Sequence, residues 1–175
     1  STTITGVYAA NISDDRSIMY LLADFNSELE MGTLYALSIA DLNKRELAQN
    51  VAYINPGGIT DLTQGILYST PGDMAGRYDI NYVTSSGKIY TLISDGFEES
   101  LYTIYLNTQK QTGYILMHGV SADRHTLHYV KWSNGNIEDK KLDEHVHEII
   151  YYEACDSILY IKNGSGNTAD LYMVT

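Results

Sequence analysis

Gly32-Thr33-Leu34-Tyr35-Ala36-Leu37-Ser38-Ile39 and Glu99-Ser100-Leu101-Tyr102-Thr103-Ile104-Tyr105-Leu106 carry one pattern, Leu-Tyr-x-(Leu/Ile)-x-(Ile/Leu), set 67 residues apart. Ala169-Asp170-Leu171-Tyr172-Met173-Val174 begins a third copy. Apolar and aromatic residues alternate with period two in each copy, the signature of a half-buried strand. Further runs of the same kind lie at 17–22, 88–93, 126–132, 148–152 and 158–161. Tyr, Ile, Thr and Val suit such pleated surfaces. Asn134-Gly135, Asp95-Gly96 and Asn163-Gly164 stand between paired runs and read as hairpin turns. One stretch, 41–50 (DLNKRELAQN), is composed like a helix, and a helical turn there is the alternative to a strand.

A second pattern repeats ahead of the strands. Ser13-Asp14-Asp15-Arg16-Ser17-Ile18-Met19-Tyr20 matches Ser121-Ala122-Asp123-Arg124-His125-Thr126-Leu127-His128. Repeated hairpins of this size cannot bury both faces alone, so they must stack on one another. At ~40–45 residues per four-stranded blade, the chain supplies about four blades. The expectation is an all-β β-propeller, or a propeller segment, forming a single domain over 1–175 within a longer chain. Its blades divide as 6–54, 58–106, 112–152 and an incomplete 157–175. The alternative is an antiparallel β-sandwich.

Composition excludes several classes. The 175 residues hold 11 Lys+Arg against 22 Asp+Glu, a net charge of −11, and neither half is basic. Nucleic-acid binding needs clustered cations, so it is not expected. A chain that is 44% hydrophobic with 16 Tyr is too apolar for a disordered segment. No run approaches the ~20 apolar residues of a membrane helix. Cys155 is alone, so no intrachain disulfide can form, and it reads as a small hydrophobe.

Ser13-x-Asp15-Arg16-x-x-Met19-Tyr20, then Leu34-Tyr35-Ala36-Leu37, then Arg45-Glu46-Leu47, resembles one repeat of the TolB-like, WD40-related bacterial β-propellers. Ser121-Ala122-Asp123-Arg124 with Leu127 begins a second such repeat, and the Leu-Tyr strands also resemble those of Tyr-rich bacterial surface propellers. Arg16 and Arg124 stand where that pattern usually has Gly, and neither turn has its Pro. The resemblance implies an extracytoplasmic setting, periplasmic or at the cell surface.

No catalytic, cofactor or metal residue is assigned from the sequence, and no cofactor is expected. Ser-x-Asp turns close on backbone N–H groups, so Asp15 and Asp123 are given structural roles. His145-Val146-His147 would put two imidazoles on one face of a strand, with His125 or His128 as a third zinc ligand and Asp143, Glu144, Glu148 and Glu153 as oxygen donors. The alternative is a polar, acidic surface strand. The 163–170 loop lacks the Gly and bidentate Glu of a calcium loop. Gly57-Gly58 and Gly65 form no phosphate-binding motif, and no Gly-x-Ser-x-Gly occurs. The functional expectation is a non-enzymatic binding or scaffold module of an exported bacterial protein. It would contact a protein or glycan through blade loops, with self-association or ring completion by another segment. The alternative is the non-catalytic gating propeller of a serine peptidase.

Overall fold

The computed structural model describes residues 5–55, 62–96, 102–117, 125–165 and 168–175. Among the described residues there are fifteen strands: β1 Val7–Ile12, β2 Ile18–Asn26, β3 Met31–Ser38, β4 Lys44–Val51, β5 Tyr53–Ile54, β6 Gly65–Pro71, β7 Tyr78–Thr84, β8 Ile89–Gly96, β9 Tyr102–Asn107, β10 Thr112–Met117, β11 Thr126–Ser133, β12 Asn136–Glu144, β13 Val146–Tyr152, β14 Ser157–Ser165 and β15 Thr168–Val174. They form four antiparallel meanders: β1 to β4, β5 to β8, β9 to β12, and a three-stranded sheet β13 to β15. Among the described residues, helix is limited to one 3-10 turn, Glu153–Cys155. The chain divides into two compact units, Ser1–Gly96 and Phe97–Thr175.

In the first unit, β2 pairs Tyr20 with Ala36 and Leu22 with Leu34 of β3. Tyr20, Leu21, Leu22 and Ala23 are buried in succession, as are Gly65 to Ser69 in β6 and Ile80 to Val83 in β7. Successive strand residues point to opposite faces, so these strands are covered on both sides. A two-layer sandwich leaves one face of each sheet wet and would alternate buried with exposed. Stacked sheets account for the pattern, and the sandwich does not. Arg45 of β4 ties the first two sheets together by donating to the Ser85 and Ser86 carbonyls at the β7–β8 turn.

In the second unit, the third and fourth sheets share one core: Tyr114, Leu116 and Leu127 from the third, Val146, Ile149, Ile158 and Tyr160 from the fourth. Asp156, at φ 51°, fastens the two. Its carboxylate accepts from Tyr151 Oη at 2.8 Å and Thr112 Oγ1 at 3.3 Å and pairs with Lys110 Nζ at 3.3 Å. Its carbonyl accepts from Tyr114 Oη at 3.2 Å.

Several expectations need correction. Residues 41–50 do not take the helical alternative: β4 occupies most of them, because β3 gains a hydrogen-bonding partner along that edge. Tertiary pairing outweighs helix propensity here. The sheets after the first begin one strand earlier than expected. Ser85-Ser86-Gly87 is a tight connection, with Gly87 at φ 93°, that makes β7 and β8 direct neighbours and ends the second sheet at Gly96. The Leu-Tyr strand that follows is therefore the first strand of the third sheet, whereas β3 and β15 are third strands of theirs. The 137 residues from Leu34 to Leu171 span three sheets, about 46 each, while the 67-residue spacing joins unlike positions. Leu101 lies outside the described residues.

Of the three hairpin turns, Asn134-Gly135 is one, with φ of 49° and 88° joining β11 to β12. Asp95-Gly96 ends β8 instead. The Asp95 carboxylate caps the β6–β7 connection by accepting from the Asp73 N–H at 2.7 Å. Asn163-Gly164 lies within β14, whose Ser165 pairs with Thr168 of β15.

Candidate functional site

The Ser13-x-Asp15 turn is built as a structural element. Ser13, only 1% exposed, donates to Asp15 Oδ1 at 2.7 Å and accepts from the Ile18 N–H at 3.0 Å. The Asp15 carboxyl also accepts from the Ser17 N–H. Hydrogen bonds from Ser13, then Ser17, hold it below the usual carboxylate range. Arg16 adopts φ 58°, the conformation that glycine takes most easily. The Ser121 to Arg124 copy lies outside the described residues.

The histidines do not converge. His145 sits at φ 59° in the turn between β12 and β13, and His147 is the extra residue of a β-bulge opposite β14. Both are exposed on either side of the buried Val146. His128 Nδ1 is engaged with Asp139 Oδ1 at 2.8 Å. The oxygen donors are largely taken. Asp143 accepts from Tyr160 Oη at 2.8 Å and Lys162 Nζ at 2.6 Å, and Glu144 pairs with Lys141. Burial alone would raise the Asp143 carboxyl, but Lys162, the Glu144 N–H and the Tyr160 hydroxyl together hold it low. Burial, reinforced by the Asp143 bond, pushes the Tyr160 hydroxyl up to about 12. Among the described residues, no group of three or more His, Cys, Asp or Glu is placed to hold a metal ion. Cys155 is an exposed free thiol, not a packed hydrophobe.

A concave site lies elsewhere, at one end of the first sheet. A cleft of about 580 Å³ is lined by Gly6, Val7, Tyr8, Asp24, Phe25, Ser27, Glu30 and Tyr53. Two bulges aim its side chains. Tyr8 is the extra residue between the Val7–Ala23 and Ala9–Leu22 pairs of β1 and β2. Asp24 and Phe25 together face Gly32 between the Ala23–Thr33 and Asn26–Met31 pairs of β2 and β3. Bulges of this kind re-aim side chains at strand ends. Here they bring the Tyr8 and Phe25 rings together, centroids 3.9 Å apart and planes 4° from parallel.

Glycine is required beneath this arrangement. A Cβ on Gly32 would stand 2.7 Å from the Ala23 carbonyl oxygen and 3.3 Å from the Phe25 Cα. The β2–β3 turn is closed by Asn26 Oδ1, which accepts from the Glu28 and Leu29 N–H groups. Glu30, at φ 52°, completes the rim. On the other side Tyr53 projects from β5, its ring edge-on to Tyr78 at 6.1 Å.

Tyr35 supports the floor by donating to Asp24 Oδ2 at 2.7 Å, and Lys44 Nζ lies 4.0 Å from the Tyr35 ring centroid. The Asp24 bond, with some burial, raises the Tyr35 hydroxyl above its ordinary value. Tyr8 remains 61% exposed despite the stack, so one ring face is open to solvent. The site therefore presents an aromatic platform flanked by two carboxylates. Such a surface is suited to binding by stacking and charge. Sequence reading singled out none of the residues lining the cleft, because bulges leave no mark in apolar periodicity. The only hint was the general enrichment of Tyr at binding surfaces.

No family model matches the chain, and no curated protein matches it. Solved structures do, at low identity. The β-propeller domain of the Trilobed protease from Pyrococcus furiosus, described as having an open velcro topology, matches at TM-score 0.60 and 9% identity over 99% of this chain and 56% of that one. The Pyrococcus horikoshii acylaminoacyl peptidase matches at TM-score 0.55 and 11% identity over 98% of this chain and 32% of that one. A prolyl endopeptidase matches at TM-score 0.53 and 14% identity over 95% and 27%. The chain thus spans about half of the first and about a third or less of the other two. At such identities the likeness speaks to fold alone. With four antiparallel sheets, two stacked within each unit, the chain is an all-β segment of the β-propeller type.

Proposed function

We propose that the chain is a non-enzymatic binding module of the TolB-like kind, exported from a bacterial cell and contacting a protein or glycan partner at the end of its first sheet. One observation carries this reading. Two bulges and a glycine with no room for a side chain hold the exposed Tyr8 against the half-buried Phe25 at the surface of a cleft. Natural sheets place bulges where a side chain must be re-aimed. The extracytoplasmic setting rests on the Ser-x-Asp and Leu-Tyr resemblance.

Envelope proteins and an array of envelope glycans are the partners to screen, with Tyr8→Ser and Phe25→Ser as the controls that must lose the partner. Retention of the partner by both variants overturns the reading, as does hydrolysis of peptide or ester substrates by the purified chain. Fractionation of cells making the full-length protein tests the location, with recovery from the cytoplasm counting against export.

A second reading is the non-catalytic gating propeller of a serine peptidase, favoured by the likeness of its sheets to those of peptidase propellers. A Gly-x-Ser-x-Gly elbow in an adjoining α/β segment of the gene decides for it.

Completion of the propeller by another segment is also part of this proposal. Ile150, Leu159 and Met173 are paired across the fourth sheet, as are Glu148, Ile161 and Leu171. These residues share the face turned away from the shared core. Ile150, Tyr152, Leu171 and Met173 are 46%, 50%, 65% and 65% exposed there. A further sheet of the same kind would cover them.

A further inference from the structure

Resting on the binding-module reading, we propose that the cleft receives a cationic side chain, the guanidinium or ammonium of an arginine- or lysine-bearing peptide. The cation would sit over the open face of Tyr8 and between the carboxylates of Asp24 and Glu30.

The electrostatics of the lining point this way. Aromatic faces are electron-rich, and two rings at 3.9 Å and 4° are nearly face to face, the arrangement that ring quadrupoles oppose. A cation over the outer face turns that accumulated negative potential into attraction. Asp24 and Glu30 add formal negative charge, and no Lys or Arg lines the cleft. Among the described residues, neither carboxylate is paired with a cation. Asp24 Oδ2 is occupied by Tyr35, which fixes the carboxylate and leaves Oδ1 for a ligand.

The sheet already makes one such contact beside the cleft, where Lys44 stands over the Tyr35 ring, whose hydroxyl holds Asp24. The ligand would repeat it on Tyr8. A volume of about 580 Å³ admits one extended basic side chain with part of its backbone. A net charge of −11 adds long-range steering of cations. A neutral glycan could also stack on Tyr8, but it would gain little from two uncompensated carboxylates.

The test uses the ¹⁵N-labelled 175-residue chain at physiological salt. The probes are acetyl-Gly-Arg-Gly-Arg-Gly-amide, its citrulline counterpart and cellohexaose. The arginine peptide is expected to shift the amides of Val7, Tyr8, Phe25 and Glu30, and the citrulline peptide to leave them in place. Asp24→Asn and Tyr8→Ala should each weaken binding about three- to ten-fold. Tyr8→Phe keeps the ring face and should bind like the parent. Glu138→Gln, in β12 and not among the residues lining the cleft, controls for general charge and should change nothing. Unchanged melting of each variant separates lost binding from lost folding.

Equal shifts from the citrulline peptide, shifts confined to other residues, or indifference to Asp24→Asn overturn the proposal. So does silence from every probe. Shifts from cellohexaose alone overturn cation recognition while leaving the binding-module reading intact, whose own failure is read from the partner screen.

Discussion

Leu127 and Leu171 lie in the third strands of consecutive sheets and point the same way, yet Leu127 is 0% exposed and Leu171 is 65% exposed. Leu127 faces the fourth sheet and packs on Ile149 and Ile158. Leu171 faces the side on which no described residue covers it. One structural position thus carries two energetic environments, set by whether a neighbouring sheet is present. Leu127→Ala should cost about 2–5 kcal/mol, the transfer energy plus the cavity left behind. Leu171→Ala should fall within about 0.5 kcal/mol of the parent. Urea melts of the two variants make the comparison, and equal losses would show that Leu171 is covered.

The same face predicts self-association. Among the described residues β15 has no neighbour beyond β14, and an exposed apolar face rimmed by such an edge strand promotes pairing between chains. The double variant Leu171→Lys and Met173→Lys should lower the apparent mass at high concentration in sedimentation or light scattering without lowering the melting point. A parent that is strictly monomeric at all concentrations would count against this.

Gly32→Ala should unsettle the cleft specifically. Its new methyl meets backbone, the Ala23 carbonyl oxygen at 2.7 Å, and so cannot be relieved by rotating a side chain. A loss of about 1–3 kcal/mol is expected, as for other overpacked sites. The amide shifts of Tyr8 and Phe25 should move further than that of Val83, at the end of β7 away from Tyr78. A variant as stable as the parent, with an unchanged Tyr8 environment, would show that β3 can move away.

Ser13→Ala should cost about 0.5–1.5 kcal/mol, because it removes the part-buried hydroxyl that accepts from the Ile18 N–H. Arg16→Gly should be neutral or stabilising by up to about 1 kcal/mol, since φ 58° strains any residue with a Cβ. Thermal melts of the two variants should shift in opposite directions.

Acid sensitivity should centre on Asp143. Its folded pKa lies below the ordinary value of about 3.9, so its contribution is fully present above that value and is lost as pH falls through the folded pKa. Tyr160 works in the opposite sense. With its hydroxyl raised to about 12, its contribution is present below about 10 and is lost as pH rises through 12. Asp143→Asn should flatten the stability profile below pH 4 while retaining an acceptor for Tyr160. Urea midpoints measured from pH 2.5 to 7 give the comparison, and an unchanged acid slope would remove Asp143 from the account.

The sequence by itself determined the strand-rich class, the stacking of repeated meanders and the tight Ser13–Asp15 and Asn134–Gly135 turns. These features depend on alternation and on bonds between residues a few positions apart. Sheet boundaries were not legible, because Leu-Tyr runs fit a first strand as well as a third, and only pairing partners distinguish them. Residues 44–50 became a strand because β3 needed a neighbour, a demand that no local propensity records. The cleft was decided by tertiary structure alone. Tyr8, Asp24 and Phe25 meet because two registers slip at the same level of the sheet, and a slip belongs to a pair of strands, not to either sequence. The histidines parted for the same reason: a left-handed turn at His145 and a bulge at His147 undid the alternation that would have aligned them.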